Sequence, residues 1–128
     1  MRRVHQTGPV PTESQEQIAL FRWAAYESKA HPELQMLYHV PNERKCSPQQ
    51  GARMKAEGRK SGVPDICLPV ARGGYHGLYI ELKRTKGGRV SDEQDVWLLA
   101  LRANGYRAEV CRGWDAARQV IEEYIKGG

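Results

Sequence analysis

At 128 residues and 14.5 kDa the chain has the length of one domain, enough to bury a core without disulfides or a structural metal. With 40% hydrophobic and 27% charged residues, wholesale disorder is excluded, and no apolar run approaches the ~20 residues that span a bilayer. The net charge of +5 admits a polyanionic partner without demanding one. The N-terminal stretch MRRVHQTGPVPTES has arginines but no apolar run behind them, so it does not read as a secretory signal. Cys46, Cys67 and Cys111 form no CxxC pair, and His5, His31, His39 and His76 have no HExxH spacing. Neither a disulfide framework nor a zinc site is indicated, and the thiols read as reduced, as in the cytosol.

In chain order, Gly8, Pro9 and Pro11 mark residues 1–11 as an irregular arm. Thr12 and Gln15 form a capping box that opens a helix, with Ile18, Phe21 and Ala25 on its apolar stripe and Leu20 and Ala24 widening it. Pro32 ends it, because proline disfavours helical geometry at the preceding residue. Met36 to Val40 reads as a strand closed by Pro41-Asn42. Ser47-Pro48-Gln49-Gln50 opens a short helix that stops at Gly58. Ile66 to Val70 and Leu78 to Lys83 read as strands of a hairpin around the Arg72-Gly73-Gly74 turn. Ser91 to Gln94 is a third capping box, leading a helix that stops at Asn104-Gly105. Tyr106 to Cys111 alternates as a strand, and Trp114 to Ile125 is a helix with Ala117, Val120, Ile121 and Tyr124 on one face.

The order α-β-α-β-β-α-β-α, with strands joined through helices, implies at least one parallel pairing. The expected fold is therefore an α/β layered domain over residues 12–128, its mixed sheet flanked by helices.

Charge is concentrated in the middle. Residues 41 to 89 carry eleven cations against four anions, a net +7, and the rest of the chain nets −2. A single-signed segment around a hairpin suits phosphate-backbone binding; a solvated helix face and loop would look the same by charge alone. Within it, Glu81 and Lys83 share one face of a strand with Tyr79, while Leu78, Ile80 and Leu82 face the other way. Asp65 begins the neighbouring strand. Two carboxylates and an ammonium in one cluster suit a hard divalent cation and phosphate chemistry, but also a buried ion-pair network without metal.

GVPD (Gly62 to Asp65) followed by IELK (Ile80 to Lys83) resembles the PD-(D/E)XK nuclease motif as it occurs in the VRR-NUC family. SDEQDVW (Ser91 to Trp97), TESQEQIALFRWA (Thr12 to Ala24), HVPN (His39 to Asn42) and GYRAEVCRGWDAA (Gly105 to Ala117) resemble further segments of that family, in the same order. The likeness is to short, stand-alone, virus-type members. It implies a restriction-endonuclease-like fold and phosphodiester hydrolysis dependent on Mg²⁺ or Mn²⁺. Asp65, Glu81 and the Leu82 backbone carbonyl would be the metal ligands. Lys83 would serve the attacking water, and Gln94 would orient water or phosphate. Glu13, with Gln17 at the family's E-x-x-x-Q spacing, would be the first-helix acid, with Glu16 as the alternative.

Arg59 and Lys60, together with Arg53, Lys55, Arg84, Lys86 and Arg89, would contact DNA. Asn42 would either hydrogen-bond near the site or cap a strand end, and Trp23, Trp97 and Trp114, on helices, read as core or interface rather than base-stacking platforms. Stand-alone members of the family resemble homodimeric enzymes that cut four-way (Holliday) junctions, so branched DNA, a second copy and a cytoplasmic setting, that of a host cell if the chain is viral, are expected. A monomeric flap or nicking nuclease and a non-catalytic DNA-binding module remain open.

Overall fold

The computed structural model describes residues 8–41 and 47–127. Asn42, Arg44, Lys45 and Cys46 lie outside the described residues, as do residues 1–7 of the arm; residues 8–11 enter no helix or strand. The elements follow the expected order: α1 (Glu13–Glu27), a 3₁₀ turn (Pro32–Met36), β1 (Tyr38–His39), α2 (Pro48–Ala56), β2 (Ile66–Leu68), β3 (Leu78–Lys83), α3 (Asp92–Ala103), β4 (Arg107–Arg112) and α4 (Trp114–Ile125). The sheet runs β1-β2-β3-β4. β1, β2 and β3 are antiparallel neighbours, and β3 pairs with β4 in parallel through the α3 crossover.

All three capping boxes form: the hydroxyls of Thr12, Ser47 and Ser91 accept from the backbone N–H of Gln15, Gln50 and Gln94, whose side chains reach back to the cap residue's N–H. The sheet separates two clusters. Leu78, Ile80 and Leu82 join Leu20, Ala24, Ala117, Ile121 and Tyr124 in the core under α1 and α4. Tyr79 and Val110 pack with Leu98, Leu101 and Ala108 under α3, with Trp97 against them. Trp23 and Trp114 pack on the main core.

Four expectations shift. The strand expected over Met36 to Val40 contracts to two residues, because Pro32 nucleates a 3₁₀ turn that consumes Met36; only the Val40 N–H, bonded to the Asp65 carbonyl, extends the pairing. The strand expected to Val70 stops at Leu68, since Pro69 has no N–H for the ladder. The first helix ends at Glu27, where Ser28 caps it and its hydroxyl bonds the Ala25 carbonyl, short of the expected stop at His31-Pro32. Its buried stripe is Glu16, Leu20 and Ala24; Ile18 is 55% exposed and Ala25 also faces out. A buried glutamate shifted the apparent phase of that stripe.

Candidate active site

Register brings the acidic residues together. β2 and β3 pair Ile66 with Ile80, and one step beyond, at the entry to β2, Asp65 stands beside Glu81. Asp65 Oδ1 accepts from the Leu82 N–H at 2.9 Å. Its backbone carbonyl accepts from the Val40 N–H at 2.7 Å and from His39 Nδ1 at 2.9 Å. A carbonyl can only accept, so Nδ1 carries the ring hydrogen in that bond. Glu81 Oε2 accepts from Gln94 Nε2 at 3.0 Å and lies 3.5 Å from Lys83 Nζ. Gln94 is fixed in turn by its own helix: its Oε1 accepts from the Ser91 N–H at 2.9 Å, which directs the amide nitrogen at Glu81. Gly62, at φ +90°, lets the GVPD loop lie on the first turn of α3, where a Cβ would come within 2.6 Å of the Glu93 carbonyl.

Asp65, Glu81 and Lys83 are all buried. Burial pushes the Asp65 carboxyl up to about 6, with the Glu13 charge adding to it and the Leu82 N–H opposing it. Burial likewise pushes Glu81 up to about 8, reinforced by Asp65 and opposed by Lys83. Glu81 Oε1 is fully buried with no hydrogen-bond partner among the described residues. Adjacent carboxyls pushed above the usual carboxylate range by burial, with one oxygen orphaned, are short of positive charge, as a hard cation site would be without its ion. Among the described residues, no three His, Cys, Asp or Glu side chains converge as a complete ligand set. The side-chain donors are two carboxylates, and Mg²⁺ or Mn²⁺ commonly completes such a set with backbone, water and phosphate oxygens. The residues present fit such an ion.

A cavity of about 390 Å³ opens over this floor. Glu13 and Gln17 of α1 stand at one side with His39, and Lys55, Arg59 and Lys60 form a basic wall. Glu13 is exposed at the cavity, and its charge reaches both Asp65 and Glu81. Glu16 is elsewhere: buried, it accepts from the Trp114 N–H at 2.9 Å and caps α4, whose N-cap residue, Gly113, has no side chain to do so.

The other expected DNA contacts divide. Arg53 is exposed on α2, and Lys86 and Arg89 are exposed on the loop after β3. Arg84 instead holds the carbonyls of Val10 and Pro11 with its guanidinium. Arg59 bonds the Pro41 carbonyl and the Met54 sulfur. Sequence reasoning missed His39 as a cavity residue, although its HVPN segment stood out. It also missed Arg112, whose guanidinium ties the carbonyls of Arg84, Gly87 and Gly88. His76 is a surface side chain packed edge-on to Tyr106.

The family model described as VRR-NUC domain matches residues 12–115. A solved structure described as a VRR_NUC domain protein superposes with a TM-score of 0.81 at 32% sequence identity, covering 94% of this chain and 93% of that one. A search of curated proteins finds no match.

Proposed function

The chain belongs to the VRR-NUC domain family, a nuclease-type domain, and from that premise we propose that it is a metal-dependent, structure-selective DNA endonuclease of the PD-(D/E)XK kind. One observation carries the reading: Asp65, Gln94 and Lys83 gather about the buried Glu81 carboxyl, whose Oε1 is left without a partner among the described residues, beneath a basic wall. Asp65, Glu81 and the Leu82 backbone carbonyl would hold Mg²⁺ or Mn²⁺. Such an ion, when bound, polarises the phosphate and lowers the pKa of a water.

The chain's own groups do the rest. The Lys83 ammonium sits where it can hold the attacking water and meet negative charge developing on the phosphate. Gln94 Nε2 is a donor held in place by its helix cap. Glu13 brings a third carboxylate to the cavity edge, suited to orienting water. Lys55 and Lys60 meet the phosphodiester backbone, with Arg53, Lys86 and Arg89 extending the contact and Arg59 holding the wall's loop in place. We read the substrate as a four-way junction and the working species as a homodimer, because symmetric cutting of two strands needs two sites and the described residues form one. The buried, unpaired Cys67 and Cys111 suit the cytoplasm, that of a host cell if the chain is viral.

The test offers a four-way junction, a flap, a splayed arm and linear duplex, each with Mg²⁺, Mn²⁺ or EDTA, and scores cleavage and oligomeric state. Junction cutting by a dimer, absent in EDTA and in Glu81→Ala, is expected. Cleavage that persists in EDTA would overturn the metal site. Flap-only cutting by a monomer would replace the junction reading, and tight binding without cleavage under any metal would leave a DNA-binding module.

A further inference from the structure

Among the described residues, α2 is the least packed helix. None of its side chains is buried, and among the described residues no other helix or strand packs along it. Gly51 and Met54 are its only half-buried residues. Its tie to the body runs through Arg59, whose guanidinium joins Met54 to the Pro41 carbonyl. A nine-residue helix is marginal in water without a tertiary partner. Yet this one has a capping box, Pro48 at its first position and cations in its last turn, local devices that favour a helix and offset the cost of Gly51 within it. It also borders the cavity, to which it contributes Gly51 and Lys55. Its two cations, Arg53 and Lys55, are both exposed on different sides of the helix and meet no described carboxylate.

We propose that the missing packing partner of α2 is the substrate itself: a DNA backbone seated over the cavity lies against α2, pairs its phosphates with Arg53 and Lys55, and orders the helix. This rests on the nuclease reading above and adds how substrate is gripped. Gly51 presents no side chain to the cavity, which leaves room for close approach of a sugar-phosphate strand. The free helix belongs to the low-stability end of the fold, as elements that close on ligands do.

Hydrogen exchange on the full-length Glu81→Gln protein, free and with a four-way DNA junction at low salt, tests this. Amides of residues 51–56 should exchange rapidly in the free protein and slow by about tenfold or more on DNA, while β3 and α4 stay protected throughout. In a separate arm, Arg53→Gln/Lys55→Gln should leave the thermal midpoint unchanged, weaken DNA binding and lower the salt slope of log Kd by about 2, one per phosphate contact. Core-like protection of α2 in the free protein, or DNA binding that leaves it exchanging as before, would overturn the inference alone. No DNA binding by the wild-type protein in a gel-shift assay would overturn it together with the nuclease reading.

Discussion

Gln94 joins its own helix cap to Glu81: its Oε1 accepts from the Ser91 N–H while its Nε2 donates to Glu81 Oε2 at 3.0 Å. One side chain thus sets the start of α3 and the orientation of a buried carboxylate. Gln94→Glu separates the two roles. Glutamate keeps the capping box but replaces the donor to Glu81 Oε2 with another acid, so the helix should hold while the Glu81 carboxyl loses its orienting hydrogen bond and cleavage falls. Gln94→Ala should also lose about 1 kcal/mol of stability with the cap. Urea unfolding beside a cleavage assay distinguishes the two variants.

Stability should depend on pH in an unusual direction for carboxylates. Asp65 and Glu81 are raised to about 6 and about 8, above their values in an unfolded chain near 4. The folded state therefore holds these protons more tightly than the unfolded one. Their contribution is present in full below pH ~4 and is lost as pH rises through 6 and then 8. The metal-free wild type, compared with Asp65→Asn/Glu81→Gln, should lose stability between pH 5 and 8.5 where the double variant does not. Saturating Mg²⁺ should restore it at the alkaline end. Chemical denaturation across that range measures the difference.

The two acids of α1 should behave oppositely. Glu16 caps α4 through the Trp114 N–H from a buried position, so Glu16→Ala should cost about 1–2 kcal/mol in urea unfolding. Glu13 is exposed and bonds nothing in α1 beyond its backbone ladder, so Glu13→Gln should leave the unfolding midpoint in place and slow cleavage. A slow but stable Glu16→Ala would reverse the assignment.

Lys83→Met removes the ammonium 3.5 Å from Glu81 while keeping the apolar stem in its buried position. Single-turnover cleavage should fall by about 10²- to 10⁴-fold with DNA affinity little changed. Equal losses in binding and rate would make Lys83 a phosphate contact only.

Much of this was legible in the sequence because it is local. Three S/T-x-x-Q boxes marked three helix starts, and the two-residue period of Leu78 to Lys83 placed Glu81 and Lys83 on one face. What sequence could not show depended on partners far along the chain. Glu16 reads as an ordinary acid of a helix's first turn until Trp114, 98 residues on, supplies its N–H. The phase of the α1 stripe failed for the same reason, since a buried Glu16 counts as polar. Arg84 and Arg59 counted toward the basic surplus, yet Arg84 holds the carbonyls of Val10 and Pro11 and Arg59 holds that of Pro41. Charge totals register how many cations a segment carries, not how many are already engaged.

The central claim is that Asp65 and Glu81 form a divalent-cation site. Electron paramagnetic resonance of free Mn²⁺, titrated with metal-free protein, tests it most directly. The wild type should withdraw Mn²⁺ from solution, and Asp65→Asn/Glu81→Gln should lose that binding while remaining folded by circular dichroism. Undiminished Mn²⁺ binding by the double variant, or none by the wild type, would contradict the site.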